Sequence, residues 1–327
     1  MRQRRIKVPP EEGEAMYHCM SRTVNGEWLF EPVDREILRK QLWLVADYCG
    51  LQVLTYTILS NHFHALVRVP QKHVPSDAEL LRRYERMYPQ PTKYQTARLE
   101  VIKQQLQTGG PEADLWRQRQ LKLMGDVSSY MKLVKQRFSI WFNRSHCRYG
   151  TLWSERFKSV LVESGQALRA MSAYIDLNCV RARLVTDPKD YRFCGYAEAV
   201  AEESAAQSGL EVVMENQNWK ETQAMYRQIL FATGAEAGEQ EVSFSAAALA
   251  DVMETKGRLP LATVLRCRVR YFSDGAVLGS QAFVEKQLAV YRARTGQRVQ
   301  AAPHFLPKVT DWGDLTTMRG LRQAVFG

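Results

Sequence analysis

Residues 51–70 read LQVLTYTILSNHFHALVRVP, two β-rich runs divided at Ser60-Asn61. Turn-forming residues between two such runs predict a hairpin. In its second arm the two-residue period places His62, His64, Leu66 and Arg68 on one face, and Phe63, Ala65, Val67 and Val69 on the other. Upstream, AMYHCMSR predicts a short strand over about 16–23, ended by the turn pair Asn25-Gly26. A helix fits 34–48, with Asp34 as N-cap, an apolar stripe of Ile37, Leu38, Leu42, Leu44, Val45 and Tyr48, and Gly50 closing it.

Downstream, 71–125 changes character. Pro75, Pro89, Pro91, Pro111, the Gly109-Gly110 pair and many charges describe a helical insertion on the surface. Helical periodicity returns from Asp126 to Asn143 through Met131, Val134, Phe138 and Trp141/Phe142, and FKSVLVE (157–163) reads as a strand. Ser164 can then cap a helix, SGQALRAMSAYIDLNCVRARL, running to about Ala182. The order strand, helix, strand, strand, helix, strand predicts an α+β chain, a ferredoxin-like split β-α-β sandwich with an antiparallel sheet. This domain is expected over 14–200, interrupted by the insertion. A linker or exposed helix is expected over 201–240, and a mostly helical accessory region over 241–327, containing the strand-like LRCRVRYF and the amphipathic FVEKQLAVYRAR. No internal repeat is present.

The 45% hydrophobic content of the 327 residues suffices for buried cores. The opening MRQRRIKVPPEEGEA is polar, and no apolar run reaches membrane-spanning length, so a cytoplasmic protein with no membrane partner is expected. Six cysteines show no CxxC pair, which argues for reduced thiols and against a disulfide framework or zinc finger. The net charge of +10 suits a polyanionic partner. Between Trp116 and Arg183 stand thirteen Lys/Arg against four acids, interleaved with Phe138, Trp141, Phe142, Tyr149, Trp153 and Phe157. Such a mixture neutralises phosphates and stacks unpaired bases, and it equally describes a solvated helix face over aromatic core.

Two histidines one residue apart on a strand project together, so both imidazoles can grip a divalent cation. Alone, the pair is as compatible with a structural role. Tyr174 and Asn178 stand at i and i+4 on the following helix, with Arg181 one turn beyond. A phenol is a poor nucleophile at neutral pH unless a metal-activated phosphate or a cation helps it. The two motifs therefore make chemical sense together.

TILSNHFHALVRV (57–69) resembles the HUH strand of single-tyrosine transposases, and YIDLNCVRARLV (174–185) resembles their nucleophile helix. YHCMSRTVNGEWLF (17–30) and RFSIWFNRSHCRYGTLWSERFKSVLVE (137–163) are similar to the branch called REP-associated tyrosine transposases. About 170 residues are covered, with the motifs in order. The resemblance implies Tyr174 as nucleophile, His62 and His64 as ligands of Mg²⁺ or Mn²⁺, and Asn178 completing the ligand set. It implies cleavage and transfer of single-stranded or hairpin DNA through a 5′-phosphotyrosine link. Arg137, Arg144, Arg148, Arg156, Lys158 and Arg181 are the expected DNA contacts. Cys179 stands where the family has proline and Arg183 where it has glycine. Related transposases can act as dimers, so a homodimer stays open. So does a domesticated, catalytically silent nucleic-acid-binding regulator, and a hydrolase using the histidine pair with water.

Overall fold

In the computed structural model, which describes residues 5–9, 11–71, 73–89, 93–231, 276–295, 303–305 and 315–318, the expected hairpin forms. β2 (Gln52–Ile58) pairs antiparallel with β3 (His62–Val69), and Leu59 N donates to His62 O across the turn. β1 (Ala15–Arg22) lies antiparallel on the other side of β3, and β4 (Lys158–Val162) lies antiparallel to β1. The chain is α+β, and the order β2-β3-β1-β4 is compatible with a split β-α-β sandwich.

Alternation along β3 sorts the two layers. Phe63 points to one face, where its ring meets Trp153 edge-on, and Trp153 in turn packs with Phe30 and Phe138. The helices of this layer are α1 (Pro32–Cys49) and α5 (Val127–Ser145). α1 starts earlier than expected: Glu31 is the N-cap, Asp34 closes a capping box from the third helical position, and Pro32 supplies the first turn. Gly50, at φ 69, ends it as expected. Asp126 caps α5 by accepting from Ser129 N. The insertion forms α2 (Asp77–Met87), α3 (Lys93–Thr108) and α4 (Pro111–Leu121) around a small cluster of Leu80, Ile102, Leu106, Ala113 and Trp116.

The opposite face carries α6 (Gln166–Asp176), against β2 and β3. Two features of the expected 164–182 helix differ. Its N-cap is Gly165 at φ 73, not Ser164. It also breaks at Leu177 into α6 and a short α7 (Asn178–Arg181). The break follows from competition for its carbonyls. The carbonyls of Tyr174 and Ile175 take side-chain donors from Asn178, Arg181 and Thr57, which compete with the helical N–H groups.

Residues 204–231, expected as linker or exposed helix, form α9 (Ser204–Met214) and α10 (Trp219–Phe231) behind α8 (Gly195–Val200), burying Leu210, Val213, Tyr226 and Leu230. Small residues permit this. A Cβ on Gly209 would stand 2.5 Å from Leu54 O, so only glycine lets α9 approach β2 this closely.

C-terminal strands continue the sheet. β5 (Val277–Gly279) runs parallel to β4, followed by β7 (Thr316–Met318) and β6 (Pro303–Phe305), giving a seven-stranded sheet among the described residues. The expected helix at FVEKQLAVYRAR lies within α11 (Gln281–Thr295), introduced by Ser280, whose N–H and hydroxyl both donate to Glu163. LRCRVRYF lies outside the described residues. Among the described residues no helix is long and apolar enough to cross a membrane.

Candidate active site

Three imidazoles and one phenol meet on the α6 face of the sheet. His64 is 2% exposed, with its ring 5.2 Å from that of His62 and 6.0 Å from that of Tyr174, edge-on to both. The third imidazole was not anticipated. His18, from the middle of β1, lies edge to edge and nearly coplanar with His64, ring centroids 5.0 Å apart, its Nε2 lies 2.7 Å from His64 Nδ1, and Tyr174 packs edge-on to it at 6.2 Å. In the register His18 stands opposite Leu66 and Met20 opposite His64, so the two histidines are diagonal neighbours. Alternation alone put His18 on the face of Met16 and Met20; a lone histidine in an apolar strand carries no further signal.

His62 sits at the start of β3. Its Nδ1 lies 2.6 Å from Asn61 Oδ1, and Asn61 Nδ2 donates to Gly26 O. Because that amide orientation is fixed, His62 Nδ1 is the donor and its lone pair is on Nε2. Burial first, then neighbouring His18, His62, Arg181 and Arg22, hold the His64 pKa well below the usual 6.5, so this ring is neutral near pH 7.

α6 is anchored over this face by threonines of β2. Thr57 Oγ1 donates to Ile175 O at 2.7 Å and Thr55 Oγ1 to Asp176 Oδ1 at 2.6 Å. Tyr226 of α10 donates to the other Asp176 oxygen, and burial pushes this carboxyl up to about 6. These bonds fix the two residues that follow Tyr174. Tyr174 is 7% exposed, and Arg181 lies over its ring at 4.2 Å while donating to its carbonyl.

Asn178, expected one turn on from Tyr174 with its side chain alongside, turns its amide nitrogen back onto the backbone of the preceding turn. Its Nδ2 donates to Tyr174 O and Ile175 O at 3.2 and 3.1 Å, inside the helix break. Among the described residues no group of three or more His, Cys, Asp or Glu side chains is placed to hold a metal ion.

The expected DNA contacts divide. Arg137 donates to Gln41 Oε1 and Met87 O and lies over Tyr88, tying α5 to α1 and α2 within the protein. Arg144 and Arg156 are exposed, and Lys158 is 3.5 Å from Glu155. Arg148 donates to Thr151 O and approaches Glu27 at 4.0 Å, joining the 147–156 loop to the 23–30 loop. Those two loops present Tyr149, 96% exposed, and Trp28, 81% exposed. Asn61, next to His62, bonds the same 23–30 loop through Gly26. Trp28 escaped the sequence reading because its segment lacks the basic run.

No protein-family model matches this chain, and no curated protein matches it. A solved structure described as "Structure of the REP associates tyrosine transposase bound to a REP hairpin" resembles it at 14% identity and a TM-score of 0.40. The match covers 62% of this chain and 86% of that one. A likeness at that level carries no argument about function, which rests on the geometry of the chain itself.

Proposed function

We propose that this chain cleaves and transfers DNA strands with Tyr174 as nucleophile, in the manner of the single-tyrosine HUH transposases its motifs resemble. The observation that carries this reading is the seat of the Tyr174 ring, 6.0 Å from the His64 ring on one face of the sheet. A divalent cation fits the histidine pair in one respect: Nε2 is the nitrogen that His62 can offer it, since Nδ1 is taken by Asn61, and buried His64 is neutral. Among the described residues no group of three or more His, Cys, Asp or Glu is placed to hold a metal, so His62 and His64 would be the residues that hold Mg²⁺ or Mn²⁺. When bound, the cation supplies charge neutralisation at the scissile phosphate.

The chain's own residues do the rest. The Tyr174 phenol loses its proton to solvent as its oxygen forms a bond to phosphorus, the bond to the 3′ oxygen breaks, and that oxygen takes up a proton from solvent to leave as a 3′-hydroxyl. The protein then holds the 5′ phosphate as a phosphotyrosyl diester, which a later 3′-hydroxyl can displace without another energy source. The threonine anchors and Arg181 hold the ring in place. Unpaired DNA reaches the site over Trp28 and Tyr149, with Arg144, Arg148 and Arg156 toward phosphates.

A second reading, a nucleic-acid-binding regulator that does not cut, is favoured by the burial of Tyr174 beneath Arg181. One experiment separates them. Wild type and Tyr174→Phe are incubated with single-stranded or hairpin DNA, with Mg²⁺, Mn²⁺ or EDTA, and run on a denaturing gel. A metal-dependent protein–DNA adduct lost in the variant supports the enzyme. Binding with no adduct under any condition supports the regulator, and an adduct persisting in the variant refutes Tyr174 as nucleophile.

A further inference from the structure

His18 has no place in the ligand set or in the strand-cleavage step, yet it is hydrogen-bonded to His64. It is 1% exposed, and its direct cross-strand partners are Leu66 on β3 and Val160 on β4. A buried imidazole between apolar neighbours is destabilising unless its nitrogens are bonded, and here Nε2 meets His64 Nδ1 at 2.7 Å. At 2.7 Å the two nitrogens stand at hydrogen-bond distance, with one proton between them.

The direction of that proton has consequences for His64. If His18 donated, neutral His64 would carry its own proton on Nε2 and could offer the site no lone pair. If His64 donates from Nδ1, its lone pair is on Nε2. The second arrangement matches His62, whose Nδ1 must donate to Asn61 Oδ1. We infer that His18 is a positioning residue: its Nε2 accepts the Nδ1 proton of His64, fixing the His64 tautomer so that Nε2, like that of His62, is the ligating nitrogen. The near-parallel rings, 15° apart, also restrain rotation of the His64 ring. A hydrogen-bond acceptor behind a ligating histidine is a general way of fixing ring and tautomer. The inference rests on the proposed histidine–cation reading and adds the residue that orients it.

The test uses the full-length chain with histidine ring nitrogens labelled with ¹⁵N, and Mn²⁺ as probe. Wild type is expected to show His64 protonated at Nδ1 before any metal is added. His18→Phe keeps a ring but removes the acceptor, and is expected to weaken Mn²⁺ binding about 10–100-fold. His18→Gln, whose amide oxygen can accept, is expected to recover part of that loss. Adduct formation by His18→Phe should return at raised Mn²⁺, a response that a purely structural defect would not give.

A wild-type spectrum with the proton on His64 Nε2 overturns the inference, and needs no variant to fold. Unchanged Mn²⁺ affinity in folded His18→Phe also overturns it. Wild type that binds Mn²⁺ but cuts no DNA removes the proposed reaction while the His18 comparison still decides this inference. Wild type that binds no Mn²⁺ overturns both.

Discussion

Arg181 lays its guanidinium 4.2 Å over the ring of Tyr174 and donates to the carbonyl of that same residue, so one side chain holds both the ring and the backbone of the candidate nucleophile. A cation over a partly desolvated ring contributes about 1–2 kcal/mol. Arg181→Ala is expected to lower unfolding free energy by about that amount in urea melts, and to speed nitration of Tyr174 by tetranitromethane. Unchanged nitration would show that Arg181 does not cover the ring.

Asn178 works as a helix-break cap through its amide nitrogen. Asn178→Asp keeps an oxygen for any cation but loses the donor and sets a negative charge against two carbonyls. The expected result is a loss of about 1–3 kcal/mol in stability with no gain in Mn²⁺ affinity. A variant that binds Mn²⁺ more tightly at unchanged stability would support Asn178 as a ligand.

The arginines of the basic segment should separate by role. Arg137→Ala removes bonds to Gln41 and Met87 and is expected to reduce thermal stability while leaving single-strand affinity nearly intact. Tyr149→Ala and Trp28→Ala touch exposed rings, so each should leave stability within about 0.5 kcal/mol. Each should weaken binding to a single-stranded oligonucleotide about 5–100-fold, the value of one stacked base. Fluorescence anisotropy and melting curves on the three variants measure both effects.

Arg183 ends α7 in the left-handed region, at φ 57. Glycine takes this conformation without a Cβ penalty. Arg183→Gly is expected to raise stability by about 1 kcal/mol or less, the left-handed penalty of about 1–2 kcal/mol being partly offset by glycine's freedom in the unfolded chain, checked by urea unfolding.

Lys135 donates to Glu155 O and lies 5.3 Å from the Trp153 ring, where burial, then Arg5, bring its pKa down to about 8. Its folded pKa is below the unfolded 10.5, so charging it disfavours the folded state fully below pH 8, and the penalty fades between 8 and 10.5. The stability of Lys135→Met relative to wild type is therefore expected to fall as pH rises through that window. The change is about 1 kcal/mol, because the half-buried amine is screened by solvent. Melts at about pH 7 and about pH 10, either side of most of that window, check the sign.

Several elements were legible because their signals are local. The hairpin at Ser60-Asn61, the α5 periodicity and the β4 run each lie within one short window. The α6 break was not, because the donors that take its carbonyls include Thr57 on a distant strand. Residues 204–231 looked like a linker because they are rich in alanine and glutamate, yet smallness at Gly209 is what lets α9 lie on β2. Arg137 looked like a DNA contact because composition does not say which arginines find partners inside the protein.

By itself the sequence determined that His62 and His64 share a face of their strand, and that Tyr174 lies on a helix further along, since side-chain direction within an element follows from backbone periodicity. Only the tertiary structure decided that α6 lies over that face, that Arg181 covers the phenol, and that β1 brings His18 against His64. Strand register and layer packing are settled by contacts between segments far apart in the chain, and no single stretch of sequence contains them.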